Sequence, residues 1–457
     1  MTKTERICAR SASSERRGPL TALLLVIGAL ASGCVPLDAN VDAAGHKSTP
    51  APAAPAAAPA TANQGQVSPA STGSPVAAAP AAPSAPAPPP PPPVLSFDDA
   101  VANAAHAVFK NAPTPDVGPG MVVIDPLVDG MTGYQSTATR SIQDRITTIV
   151  RQDFPGYSVQ RITPESLKQQ PRVLVGTFTP VNAQMKTSGD REAYRFCLVM
   201  GDLKSGKIVA KSVARARIGD ADSTPTAVFS DSPVWTDDPN VQAYIATCQA
   251  SKVGDPIKPE YFDGLLAAAL VSEAQDAYDE GHYAEALDLY ATARKTPAGD
   301  QLRVYNGIYV TLVKLGRTEQ SAAAYRDLVD FGLRHKRVAV KFLFRPGSVR
   351  FVTDNNPFSG SYGMWLQQIA TQAVASQACL QITGHTSPTG PAAMNDSLSQ
   401  LRAEYVQSRL EADAPQLKKR TVATGAGSRE NLIGTGRDDA SDALDRRVEL
   451  KPIEPCT

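Results

Sequence analysis

Along the first 33 residues the apolar positions form one block, Leu20 to Leu30, with a basic stretch to Arg17 before it and small residues after it. This is the order of an export signal, and so short a block cannot serve as a permanent membrane-spanning helix. From about Ser48 to Pro93 the pattern dissolves into Ala, Pro, Ser, Thr and Gly, ending in the run Pro88 to Pro93. A segment with so little apolar surface stays extended. At about 3.1 Å per residue its polyproline II form reaches on the order of 100 Å.

Regular patterning begins at residue 94. Met121–Ile124 is a continuous apolar run that predicts a buried strand ending at Asp125-Pro126. Ser141–Phe154 has helical spacing, with Ile142, Ile146, Ile149 and Val150 on one face. Arg172–Gly176 reads as another strand, and Tyr194–Met200 and Lys207–Ile218 flank a hairpin turn at Asp202-Leu203-Lys204-Ser205-Gly206. Residues 94–258 therefore read as an α/β domain. Residues 259–335 turn helical and repeat: Gly281-His282-Tyr283 leads to Ala286, Tyr290 and Ala293. Gly316, Ser321, Tyr325 and Leu328 fall at matching points, Gly316 lying 35 residues after Gly281. Two helical hairpins are fewer than such arrays need alone, so they are expected to pack on a neighbour. Residues 336–457 return to mixed pattern, with a strand at Val338–Phe344, a helix at Met364–Ala378 and strands at Leu380–Ile382, Val422–Gly427 and Asp445–Leu450.

A chain of 457 residues exceeds one ordinary core, in keeping with a multidomain α+β protein. Its 45 basic and 45 acidic residues balance, which argues against a general nucleic-acid binder. Removing Lys3, Arg6, Arg10, Arg16 and Arg17 with Glu5 and Glu15 leaves a mildly acidic mature chain. Of the six cysteines, Cys8 leaves with the signal and Cys34 stands at its exit. Cys197, Cys248, Cys379 and Cys456 remain, and an even number in an oxidising compartment suggests disulfides. Three pairings are possible, and the module boundaries favour Cys197–Cys248 and Cys379–Cys456. The five histidines are scattered, with no two at metal-ligand spacing. No nucleophile elbow or glycine-rich phosphate loop stands out; Gly201–Gly206 lacks the spacing and the following helix. No catalytic residue, metal or cofactor is expected, and the chain reads as a non-enzyme.

The exit Leu30-Ala31-Ser32-Gly33-Cys34 resembles the lipobox of bacterial lipoproteins, with Ala31 where Leu is usual. The resemblance implies lipidation of Cys34. Val35 in place of an Asp directs the expectation to the outer membrane, facing the periplasm, with three acyl chains as anchor. Val173-Leu174-Val175-Gly176 and the Asp202–Gly206 turn resemble the periplasmic domains of the curli secretion channel and of penicillin-binding-protein activator lipoproteins. That likeness implies a protein partner held through residues 94–333. The helical segment resembles tetratricopeptide repeats.

From Arg337 onward the chain resembles the OmpA-like peptidoglycan-binding domain. Gly384-His385-Thr386-Ser387-Pro388-Thr389-Gly390 is similar to the family's "GHTDxxG" turn. Asn395 to Ala403 matches "NxxLSxxRA" in register, and Asp445-Arg446-Arg447-Val448-Glu449-Leu450 stands where the family has "NRRVEL". The resemblance implies a βαβαββ sandwich and a stem-peptide ligand of the diaminopimelate type, with Ser387, Asn395, Arg402 and Arg446 as site residues. A zwitterionic side-chain end is held by a carboxylate and a bidentate arginine. Arg402 is present, but Ser387 stands in place of the family Asp, which forfeits about 1–2 kcal/mol. Weaker binding, a modified stem peptide and loss of wall binding all remain open. On the same pattern Arg402 is expected at the helix surface, Asp396 as a solvated or substitute carboxylate and Arg447 as a solvated strand residue. Gly384 and Gly390 are expected as turn glycines, and His385 as a hydrogen-bonding residue of the turn. A second class of function is an assembly factor, or an activator of a cell-wall enzyme or secretion machine, working through residues 94–333.

The lipobox resemblance implies Cys34 as the lipidation site. Alkyne-tagged fatty acid should label the wild-type protein in cells and not Cys34→Ala, and equal labelling of the two would refute the assignment.

Overall fold

The computed structural model describes residues 90–114, 120–235, 238–352, 361–436 and 442–456. The export signal, Cys34 and most of the tether lie outside these residues. Ser96 starts the first helix by accepting the Asp99 N–H at 3.1 Å, with Asp98 and Asp99 in the first turn. The chain then runs β1 (Val94–Leu95), α1 (Phe97–Asn111), β2 (Gly120–Ile124), β3 (Val128–Asp129), α2 (Thr137–Asp153), β4 (Tyr157–Arg161), α3 (Pro164–Leu167) and β5 (Arg172–Val181). It continues through β6 (Ala193–Asp202), β7 (Lys207–Arg217), α4 (Ala227–Asp231), α5 (Pro239–Gln249) and α6 (Pro259–Asp263). A capping box of Ser136 and Thr139 opens α2, whose buried face carries the predicted Ile142, Ile146, Ile149 and Val150. The sheet order is β1-β7-β6-β5-β2-β4, with β3 beside β5. Strands β4, β2 and β5 are parallel, while β5, β6 and β7 form an antiparallel meander. The hairpin turns at Gly206, where φ is +68°.

Helices α7 (Leu265–Asp279), α8 (Tyr283–Arg294), α9 (Leu302–Lys314) and α10 (Thr318–Arg334) follow. The first helix of each hairpin ends alike. Gly281 and Gly316 take φ of +84° and +68°, and the next N–H reaches back to Ala277 O at 2.8 Å and to Leu312 O at 3.0 Å. The C-terminal region comprises β8 (Val338–Leu343), α11 (Tyr362–Ala375), β9 (Cys379–Gly384), α12 (Ala392–Asp413), β10 (Thr421–Gly425) and β11 (Arg447–Ile453). Its sheet order is β10-β9-β11-β8, parallel between β10 and β9 and antiparallel elsewhere. Disulfides join Cys197 to Cys248 and Cys379 to Cys456, with Cα separations of 6.2 and 5.4 Å. No described helix is long and apolar enough to cross a membrane.

The helical hairpins do not stand apart from the C-terminal sheet. One buried cluster runs from Tyr278, Tyr290 and Tyr309 through Trp365 to Ile382, Val406 and Leu450. Trp365 stacks on Tyr325 at 5.7 Å and its Nε1–H donates to the Tyr309 hydroxyl at 2.7 Å. Residues 85–457 accordingly form one contact unit.

A second seam joins the α/β region to β8. Val234 bridges Val340, and Lys341 N donates to Pro233 O at 2.8 Å. The Lys341 ammonium lies 4.8 Å from the Tyr134 ring and 5.3 Å from the Trp235 ring, and donates to Phe229 O at 3.1 Å. Burial lowers its pKa to about 7, with Asp231 opposing. A lysine titrates near pH 10.4 once unfolded, so between about pH 7 and pH 10 the unfolded chain binds the extra proton and stability rises with pH. Against a Lys341→Met variant, which carries no charge, the wild-type melting temperature should therefore gain as pH is raised through that window. A difference independent of pH would show that the buried amine does not titrate there.

Candidate functional site

Arg402 sits where the stretches after β8 and β9 meet α12, and the sequence lets α12 come unusually close to the sheet. A Cβ at Gly384 would strike the Ser399 carbonyl, and one at Gly425 would lie 2.6 Å from Ser399 Oγ. Ser399 Oγ also accepts the Gly427 N–H at 2.9 Å. Gly384 is thus a strand residue needed for close approach and not the turn glycine expected. Gly390, with φ of +93°, is the turn glycine.

Arg402 departs most from its expectation. It is completely buried, not at the helix surface. Its Nε donates to Ser348 O at 3.0 Å, one terminal nitrogen to His385 O at 3.0 Å and the other to Arg345 O at 3.1 Å. The guanidinium also lies 5.1 Å from the Phe344 ring. Among the described residues no carboxylate pairs with it. Burial, with the Arg446 charge nearby, lowers its pKa to about 10, so it stays protonated at neutral pH. The reason for its burial is its position: α12 presents it inward, beneath the backbone that follows β8 and the turn that follows β9.

The neighbouring site residues are also enclosed. Ser387 is 6% exposed, two residues beyond the carbonyl that Arg402 holds. Asn395 is 7% exposed and its amide donates to Thr389 O at 3.3 Å, closing the turn onto the start of α12. Arg446 is half-buried at the threshold of β11. Asp396 is exposed on α12, as expected, and its carboxylate is ion-paired with Arg429.

His385 and Arg447 face another way. Arg447 is buried, not solvated: its Nε meets Glu449 Oε1 at 2.7 Å and a terminal nitrogen donates to Glu430 O at 3.2 Å. Burial alone would raise the Glu449 pKa, but Arg447 holds it at about 2. The His385 ring is 1% exposed, and among the described residues neither ring nitrogen has a hydrogen-bond partner, Glu430 Oε2 lying 3.8 Å from Nδ1, contrary to the internal hydrogen bond expected. Burial, then the adjacent Arg447 charge, lowers its pKa to about 3, so the imidazole is neutral.

Sequence reasoning missed Asp445. Its carboxylate accepts the N–H groups of Leu432, Ile433 and Gly434 at 2.6, 3.1 and 2.8 Å, fixing the loop beside the site. That loop in turn accepts Arg191 from the α/β region, at Asn431 O and 3.2 Å. The only available signal was the Asp where the family motif has Asn. Chemically, the constellation holds one fully buried guanidinium beside a second that is half-buried, and no described group in it carries a proton-transfer or nucleophilic arrangement. Among the described residues no cluster of His, Cys, Asp and Glu could hold a metal.

Over a quarter of its length the chain is similar to the peptidoglycan-associated lipoprotein of Burkholderia pseudomallei: 27% identical, covering 25% of this chain and 89% of that one, TM-score 0.22. It is similar to the C-terminal domain of MotB from Helicobacter pylori at 18% identity, covering 25% and 83%, TM-score 0.21. The cell wall anchor of the T6SS from Pseudomonas aeruginosa is 24% identical, with 28% and 94% covered and a TM-score of 0.20. No family model and no curated protein matches the chain.

Truncating Arg402 removes the shared donor of three main-chain carbonyls, one buried and two part-buried. Arg402→Ala is therefore expected to lose about 3–5 kcal/mol of stability, read from the urea midpoint. A loss below about 1 kcal/mol would show that the guanidinium is not structural.

Proposed function

We propose that this chain is a non-enzymatic outer-membrane lipoprotein that holds the envelope to peptidoglycan through its C-terminal domain. The observation that carries the reading is Arg402: a buried cation beside Arg446, without a described acidic partner, under a turn that resembles the family's ligand turn. A buried cation such as Arg402, solvated only by carbonyl dipoles, favours an anionic group, and the stem peptide's carboxylate is such a group. Ser387 supplies a hydroxyl to the ammonium end, which makes the grip weaker than a carboxylate would. Lipid on Cys34 and the Pro/Ala-rich tether would place the domain at wall distance. Residues 94–333 would hold a protein partner.

One observation favours the alternative, an assembly factor or activator with little wall binding: every hydrogen bond recorded for the Arg402 guanidinium goes to a main-chain carbonyl. Sedimentation of the soluble mature chain with purified murein sacculi separates the two. Wild type should pellet with the sacculi, Arg446→Ala should bind about tenfold more weakly, and Ser387→Asp should bind more tightly. Wild type left in the supernatant would refute wall binding and leave the alternative.

A further inference from the structure

A second cluster of cations lies in the α/β region, on the face of the sheet that α5 packs against. Alternation along β6 sends Tyr194, Phe196 and Leu198 into the core shared with α1, and Cys197 and Val199 into the core shared with α5. Arg195, two residues before Cys197, falls on the α5 side. The Cys197–Cys248 disulfide fastens α5 to this face, and the helix ends one residue later at Gln249. Register sets Arg195 directly opposite Arg215 of β7, with Thr179 of β5 on its other flank. Side chains so placed have Cβ atoms about 5 Å apart, and like charges at that spacing are destabilising. Both guanidinium groups stay protonated at neutral pH.

Their surroundings supply little to offset that repulsion. Arg195 donates through one terminal nitrogen to Met185 O at 3.4 Å, and Arg215 through one to Pro92 O at 3.2 Å. The Nε of each is buried without a hydrogen-bond partner, and among the described residues neither guanidinium pairs with a carboxylate. Lys211, on the same face of β7, adds a third positive charge. Burial first, and the Arg195 charge second, lower its pKa, with Asp255 opposing. Its ammonium is committed to the end of α5, donating to Gln249 O and Ser251 O at 3.3 and 2.6 Å. The two arginines are enclosed but not sealed. Arg215 is 7% exposed and Arg195 half-buried, while Val213, between Lys211 and Arg215 on that face, is 36% exposed. The second terminal nitrogen of each arginine makes no hydrogen bond to a described residue. Two opposed guanidinium forks, each with donors to spare and no counter-charge, fit an anion placed between them.

We propose that Arg195 and Arg215 form a site for a phosphate group, free or as the monoester headgroup of a lipid. A carboxylate offers one pair of oxygens, enough for a single fork. Tetrahedral phosphate presents a pair to each of two guanidinium groups and carries a second charge. Nothing in this proposal rests on wall binding by the C-terminal domain. Inorganic phosphate titrated into the soluble mature chain, at ionic strength held constant with sodium chloride, should raise the melting temperature saturably. Calorimetry should give a saturable isotherm, with acetate at least about tenfold weaker. Arg195→Gln and Arg215→Gln should each weaken phosphate at least about tenfold with an unchanged circular dichroism spectrum. Should either fail to fold, Arg195→Lys and Arg215→Lys, which keep the charge and lose the fork, are read for the same weakening. Flotation with phosphatidylcholine vesicles, with and without phosphatidic acid, separates the two sources. Co-flotation that needs phosphatidic acid and is lost in the variants assigns a lipid headgroup, and phosphate binding without co-flotation assigns the free ion. No saturable phosphate response from folded wild type overturns the proposal, and so does a response that survives substitution of both arginines.

Discussion

A guanidinium removed from water has to be solvated by the protein, and at Arg402 three main-chain carbonyls do it. The C-terminal site depends on this constraint. The carbonyls come from two separate stretches, Arg345 and Ser348 after β8 and His385 after β9, so one side chain on α12 ties both stretches together. The glycines at 384 and 425 are its geometric complement, since without them α12 could not lie close enough for a side chain of that length to reach beneath the turn. Arg402 would therefore be retained for architecture whether or not a ligand carboxylate ever meets it. Its charge is a separate matter. Carbonyl dipoles solvate a cation but do not neutralise it, so an electropositive interior persists that an anion would relieve.

The same logic of shared anchors explains why the regions of the chain do not behave as beads on a string. Asp445 fixes a loop by three N–H groups, and that loop receives Arg191 from the α/β region. On the other side Lys341 inserts between Tyr134 and Trp235, and Trp365 completes the helical hairpins' core. Two hairpins are too few to bury their own apolar faces, and the C-terminal helix α11 supplies the missing surface. A partner bound to the middle region and a wall ligand bound to the C-terminal domain would consequently act on one body and not on two linked by a hinge.

Most of the fold was legible because its strands and helices obey local rules. The apolar run at 121–124, the spacing of Ile142, Ile146 and Ile149, and the glycines at 206, 281 and 316 each specify their element without help from distant residues. Strand β5 was underestimated. It continues through Thr177 and Thr179, polar residues that the period-two pattern discounts but that pair along β6 and lie fully buried. The site was legible as a set of positions and illegible as an environment. Sequence placed Arg402 on a helix and assigned it to the surface by its charge. Its burial follows from carbonyls that lie 17, 54 and 57 residues away in sequence. Arg447 was misread in the same way: besides Glu449 two residues along the strand, its guanidinium reaches the Glu430 carbonyl 17 residues away.

The substitution at Ser387 is easier to reconcile with wall binding once anchoring is considered. In the proposed reading the domain is confined by lipid and a tether to a thin layer beside a polymer that repeats its ligand many times. A tether of on the order of 100 Å corresponds to an effective ligand concentration in the millimolar range. A neutral hydroxyl in place of a carboxylate costs about 1–2 kcal/mol, roughly ten- to thirtyfold in affinity. For a free protein at low concentration that loss would empty the site, whereas a tethered domain facing millimolar ligand stays substantially occupied with dissociation constants of about 0.1 mM. In that reading faster release would also have a physical use, because a protein joined to both membrane and wall would have to let go as the wall is remodelled. On that reading, tight capture by a full Asp–Arg pair would not be a requirement of the architecture.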